Sequence, residues 1–331
     1  MFALRSLIMM AVLFLGSLNA SPAQAAALDK VKLAQFGQSK FLLYLPLYVA
    51  QEEGFFAQQG LDVDVKFGGN DDQIFAAVMS GSVDYGMGDP VFTAIAAEKG
   101  GEAKTVAMLI TNLALAGYTN NAAIPVIEKP EQLAGWRIGS FPEPSTTYTV
   151  LNGLKAHTPA MATTQIVQGA MGTQLALLEA GKTDIAVDLE PAVSQAESRG
   201  YRVVLNMNKF TQPQAVTGLI ARQDTVTQRA DRTQRMVNAL QQAIATMYRD
   251  PAVAVRTAQK LFPSLGEATI QRAVAHMLKD AMYPASVVVP EEFWQRSLQS
   301  RLDSGELKHP QATTTAVDNH FAEAAFAKYG K

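Results

Sequence analysis

Two carboxylate-proline pairs, Asp89-Pro90 and Glu190-Pro191, close two copies of one phrase, AVMSGSVDYGMGDP (77–90) and ALLEAGKTDIAVDLEP (176–191). In open α/β sheets a ligand settles beyond the carboxyl ends of the strands, where both carboxylates are expected to lie. An ionised carboxylate taken out of water is costly without a partner, so Asp188 and Glu190 ask for an amine, amide or ring N–H on a solute. Asp89 has a plainer role open to it, as a cap of the helix behind Pro90. A second chemistry is offered by Ser145, Thr146, Thr147 and Tyr148, which open a helix. Unpaired backbone N–H groups and hydroxyls at such a start accept an anion, and the same residues equally suit an ordinary helix cap. A third set, Gln38, Lys40, Phe41 and Tyr44, follows the first expected strand, and its two aromatics suit either stacking on a flat or aliphatic solute or core packing. Donor-accepting carboxylates beside an anion-accepting helix start favour a zwitterion or a polar heterocycle over bare nitrate.

Catalytic chemistry finds no comparable home. The four histidines, His157, His276, His309 and His320, are scattered, with no HExxH spacing and no GxSxG elbow, and read as surface residues. Gly86-Met87-Gly88 is only a fragment of a dinucleotide fingerprint. Cysteine is absent, which removes disulfides, thiolate nucleophiles, cysteine-bearing metal sites and a lipid-modified cysteine. No catalytic residue, metal or cofactor is expected.

The elements that must hold these groups are legible from pattern. Each repeated phrase reads as an apolar helix end closed by Gly81 or Gly181, a short strand after Asp84 or Asp184, and a helix starting at Pro90 or Pro191, where proline loses no helical hydrogen bond. Residues 31–36 and the alternating LDVDVKF (61–67) predict strands, with a helix starting near Pro46 between them. Asp71 or Asp72 is placed to cap the helix that ends at Gly81. Further strands are expected at 104–111, 113–119, in WRIGSF, in TTQIVQ, at 201–207 and at 217–222. Beyond that the chain reads as helices punctuated by Pro251, Pro263 and Pro290. The expected division is one lobe of 29–116 plus 217–331 and a second of 117–216, with two crossings acting as a hinge.

The first residues, MFALR, then an apolar run from Ser6 to Leu18, then SPAQA, have the layout of a secretory leader cleaved near Ala25. That run falls short of the roughly 20 residues needed to span a bilayer. With 28 basic and 30 acidic side chains the formal charge is −2, and no basic field exists to hold nucleic acid. A soluble, exported monomer, free in the periplasm, is the expectation, and roughly 300 residues suffice for two lobes with their own cores.

At GFFAQQGLDVDV, GSVDYGMGD, LAGWRIGS and STTYTVLNGL the chain resembles the solute-binding components of ABC importers for nitrate, sulfonates, taurine and thiamine pyrimidine precursors, in the right order over almost its whole length. The resemblance implies a type II periplasmic binding protein: two α/β lobes, each a mixed sheet flanked by helices, and a two-stranded hinge. It also implies one small solute held between the lobes, delivery to an ABC permease and its ATPase, and no catalysis. The segment around Phe41 would form a pocket wall, and the carboxylate before Pro191 would point at the ligand. Tyr148 stands where taurine-type binders carry the histidine of STTH, which counts against taurine itself. A receptor-docking sensor on the same fold is the alternative. An enzyme is a more distant one, since the fungal pyrimidine synthases of this fold carry a cysteine-rich motif that is absent here.

Overall fold

Alternating apolar side chains lay down the first edge of the molecule. In a computed structural model describing residues 27–330 except Ser39, Ala114, Pro144 and Ser304, Leu61 and Val63 of LDVDVKF point inward and Asp62 and Asp64 outward. The expected leader (1–25), Ser39 and Pro144 lie outside the described residues. Strand β1 (Asp29–Gln35) is followed by helices α1 (Leu45–Glu52) and α2 (Phe55–Gln58), then β2 (Leu61–Phe67), α3 (Asp71–Met79), β3 (Tyr85–Gly88), α4 (Phe92–Glu98) and β4 (Ala103–Ile110). Next come β5 (Ala116–Thr119), β6 (Arg137–Ser140), α5 (Thr146–His157), β7 (Gln165–Gln168), α6 (Gln174–Glu179), β8 (Ile185–Asp188), α7 (Ala192–Ser198) and β9 (Arg202–Asn206). After β10 (Thr217–Arg222) the chain is helical: α8 (Gln223–Gln228), α9 (Ala230–Arg249), α10 (Pro251–Leu261), α11 (Glu267–Lys279), α12 (Glu291–Asp303), α13 (Thr313–Ala316) and α14 (His320–Tyr329).

Two five-stranded sheets result, ordered β2-β1-β3-β10-β4 and β7-β6-β8-β5-β9. Their internal pattern is the same. Three parallel strands run side by side in each (β1 with β2 and β3, β6 with β7 and β8), and one antiparallel strand, β10 or β5, separates them from the last. The chain crosses between sheets at 111–115 and at 207–216, and the crossings are tied to each other: Gln214 N donates to Thr111 O at 3.0 Å and Met207 N to Leu115 O at 3.0 Å. That pair of segments is the two-stranded hinge of a two-lobe periplasmic binding protein fold.

Separate cores back the two sheets. Leu33, Tyr85, Leu219 and the inner faces of α9, α10 and α11 form one; Leu115, Ile138, Leu151, Ile185 and Leu205 form the other. The repeated aspartates do the same work in both lobes. Asp84 accepts Lys32 N–H at 2.8 Å and Asp184 accepts Arg137 N–H at 2.8 Å, tying each to the neighbouring parallel strand, mid-strand in β1 and at the first residue of β6. An arginine faces each, Arg232 at 3.2 Å from Asp84 and Arg137 at 2.7 Å from Asp184. The hydrogen bonds from Arg137 hold the Asp184 carboxyl below the usual range. Gly81 and Gly181 close α3 and α6 with φ of +76° and +64°.

Three expectations change. The cap of α3 is Asn70, whose side chain accepts Gln73 N–H at 2.9 Å while Gln73 returns the bond, leaving Asp71 and Asp72 in the first turn. Neither proline takes the first helical position: Pro90 sits two residues before α4, and Pro191 is the cap of α7. The two carboxylates are also not equivalents. Gly88 faces Gly218 where Asp188 faces Ala116, so Asp89 matches Leu189 and Glu190 matches Pro90, one residue out of step.

Candidate functional site

Parallel strands deliver their loops to the same edge of a sheet, and of the selected side chains Asp89, after β3, and Thr146, after β6, line one crevice between the lobes. The crevice is also lined by Thr149, Gln214, Ser297 and Arg301. Its space is about 30 Å³, enough for a water.

On the first-lobe wall Asp89 is already engaged. One oxygen accepts Val91 N–H at 2.9 Å in the turn before α4, whose cap is Val91 and not Asp89, and the other pairs with Arg301 of α12. The Asp89 N–H donates to Asp71 at 2.8 Å. Burial, then the charge of Asp89, pushes the Asp71 carboxyl up to about 6. Tyr44 is 3% exposed and packs in the first lobe's core, its hydroxyl raised by burial and by Asp71. Phe41 stays half-buried against that core, Lys40 lies with its ammonium 5.9 Å from the Tyr48 ring centre, and Gln38 is exposed.

On the opposite wall Ser145 caps α5, its hydroxyl accepting Tyr148 N–H at 3.3 Å. Thr147 is buried, Thr146 lines the crevice, and Tyr148 is half-buried. Asp188, at the end of the central strand β8, is 4% exposed. It accepts Leu189 N–H at 2.9 Å and a long bond from the Tyr118 hydroxyl at 3.5 Å, with no cation among these partners. Burial pushes its carboxyl up to about 7. Near neutral pH a carboxyl held there is divided between its two forms, and a cation or strong donor placed beside it favours the ionised one.

Glu190, expected to meet a solute, is used within the protein. Its two oxygens accept the Ser194 N–H and hydroxyl, both at 3.1 Å, and one also meets His276 Nδ1 at 2.8 Å. His276, read from sequence as a surface histidine, is therefore partnered across the lobes. With Glu197, Lys279 and Asp280 these two line a second space of about 180 Å³. Sequence reasoning missed Arg301, Asp71 and His276. Arg301 is 212 positions from Asp89, and nothing local marks it beyond a charge on the inner side of an amphipathic helix. Among the described residues no group of three or more His, Cys, Asp or Glu is arranged to hold a metal, and no helix is long and apolar enough to cross a membrane.

Comparison with known proteins places this geometry. Residues 43–254 match the family model described as NMT1/THI5 like. The Bacillus subtilis (strain 168) protein YtlA is 27% identical over 311 residues, covering 91% of each chain. Among solved structures, the alkanesulfonate-binding protein SsuA from Xanthomonas axonopodis pv. citri, bound to MOPS, superposes with a TM-score of 0.65 at 18% identity, over 88% of this chain and 98% of that one. The desulfurization enzyme DSZB superposes with a TM-score of 0.62 at 13% identity, over 91% and 99%. Binding proteins and an enzyme thus share the fold.

Proposed function

The chain belongs to the NMT1/THI5-like family, and from that premise we propose that it is the solute-binding component of an ABC import system, capturing one small polar organic solute between its lobes in the periplasm and handing it to a permease. The carrying observation is the meeting of Asp89 and Thr146, from opposite lobes, in one crevice at the carboxyl edges of both sheets. A space of about 30 Å³ admits no organic molecule, so the solute enters with the lobes parted and favours their return by binding the closed form better. The lobes are taken as 29–116 with 217–331 and 117–216; the membership of the two sheets supports that division to within a residue.

The solute class follows from the groups on offer. Thr146, Tyr148 and the start of α5 suit an anionic head such as a sulfonate, in keeping with the sulfonate ligand of the structurally similar SsuA. Asp188 suits an amine or ring N–H, and half-buried Phe41 an apolar part. Amino-sulfonates answer the first two demands and pyrimidine-like heterocycles the last two; Asp89, paired with Arg301, is part of the wall. Release of the solute unchanged is part of the reading.

A thermal-shift screen of the purified protein over sulfonates, amino-sulfonates, pyrimidines, aromatic acids and nitrate tests it. A true ligand at a hundred times its dissociation constant adds roughly 2.7 kcal/mol of stability. Thr146→Ala is expected to erase most of that gain. Tight binding of nitrate alone, or turnover of the bound compound, overturns the proposal.

A further inference from the structure

Helix α11 belongs to the first lobe by its core face and to the seam by its other face. Ile270, Ala273, Val274 and Met277 are buried in the first lobe's core. From the opposite side α11 reaches α7 of the second lobe at several points. Thr269 and Ser198 share a hydroxyl bond of 3.1 Å; Arg272 reaches Ser194 O at 3.5 Å and Ser198 Oγ at 3.4 Å; His276 meets Glu190 at 2.8 Å. Just past the helix, Asp280 accepts from Asn206 at 3.4 Å. Of these contacts only the one at Glu190 involves a carboxylate almost sealed from solvent, its side chain 3% exposed, facing a group that titrates near neutral pH.

We propose that His276 and Glu190 form a proton-operated clasp: protonated His276 on the first lobe closes on Glu190 of the second, so the protein grips its solute more firmly as pH falls and loosens as pH rises. The proposal rests on the two-lobe solute-binding reading but concerns the equilibrium between open and closed lobes, which exists without solute. Parting the lobes strips Glu190 of its hydrogen bond with His276, its one cross-lobe partner among the described residues, and leaves it the two bonds from Ser194. Glu190 also follows Asp188 by two residues, so the clasp and the solute wall share one loop.

The sign follows from the charges around the ring. Glu190 and Glu197 face His276 from the second lobe, and Asp280 faces it from the turn after α11; Arg272 and Lys279 are the cations on its own helix. The hydrogen bond to Glu190 leads in raising the His276 pKa above 6.5, and burial opposes it. Closure therefore takes up a proton. Its contribution is complete below about 6.5, the histidine's free value, and is lost as pH rises through the raised value.

The experiment needs no ligand. The chain contains no cysteine, so Lys66→Cys at the end of β2 and Met171→Cys just past β7, both exposed, accept a donor and acceptor dye on the two lips of the cleft. Energy transfer between them is read from pH 5 to 9 in the wild-type background, in His276→Gln and in Glu190→Gln. In the wild type the closed-to-open ratio is expected to fall about tenfold on raising the pH through the transition, the worth of one charge-assisted bond. Both variants are expected to lose that response, while His157→Gln, exposed at the end of α5, keeps it. Asp71 and Asp188 also titrate in this range but are intact in every protein, so the difference between wild type and His276→Gln isolates the clasp. A wild-type ratio indifferent to pH, or an undiminished response in either folded variant, overturns the proposal. Failure of every solute to bind would instead refute the functional reading and leave this measurement unaffected.

Discussion

Replacing Asp188 by asparagine keeps shape and acceptor and removes only the charge. The carboxyl is held at about 7 in the folded protein against an ordinary 3.8, first by burial and then by the nearby charge of Glu190. The folded state therefore keeps a proton that the unfolded chain has lost between those two values. Stability drawn from this group is greatest below about 3.8 and declines as pH rises to about 7. A gap of about three units at 1.36 kcal/mol each gives a penalty on the order of 4 kcal/mol at pH 8. The assay is urea unfolding of wild type and Asp188→Asn at half-unit steps from pH 4 to 9, plotting the difference so that other titrations cancel. Near pH 4 the two proteins should match. By pH 8 the variant should be the more stable, by up to that amount, with the rise centred between the two pKa values. The same variant should fail to bind an amine-bearing ligand that stabilises the wild type. A difference flat with pH, or a variant less stable at pH 8, would show that Asp188 is ionised at ease in the fold and is not waiting for a donor.

Arg301→Met leaves Asp89 and Asp71 facing each other without their shared counter-charge, and should cost about 3 kcal/mol in urea unfolding at pH 7.5, since a broken partly buried pair strands a charge. The loss should shrink at pH 5, below the Asp71 value of about 6; a cost independent of pH would contradict it. Gly86→Ala places a methyl 2.7 Å from Ile74 Cγ2 and 2.8 Å from Val78 Cγ2, where α3 lies directly on β3. A destabilisation of about 1–3 kcal/mol, seen as a lowered Tm with lobe 2 untouched in hydrogen exchange, is expected. An unchanged Tm would mean the helix shifts freely.

Much of the architecture is written in local pattern. The strict alternation of residues 61–67, the glycines after two apolar helix ends and the aspartate three residues beyond each glycine mark β2, α3-β3 and α6-β8, because strand and helix periodicity and left-handed caps depend on near neighbours. The hydroxyl-rich start of α5 was legible for the same reason, since Ser145 bonds a backbone group three residues on. The one-residue slip between Asp89 and Glu190 was not, because each precedes a proline while strand register, a property of pairing with β10 and β5, sets the true match.

By itself, then, the sequence determined most of the elements, their order, the two-lobe plan and the absence of thiol chemistry. Tertiary structure alone decided which polar groups are free. Asp89 and Arg301 are 212 positions apart, and Glu190 and His276 are 86 apart; each pair forms only when the chain has crossed the hinge or returned from it. Charge is felt through space at a few ångströms and not along the chain, so two carboxylates of like appearance found different partners, Asp89 the guanidinium of Arg301 and Glu190 the ring of His276, while burial pushed a third, Asp188, up to about 7.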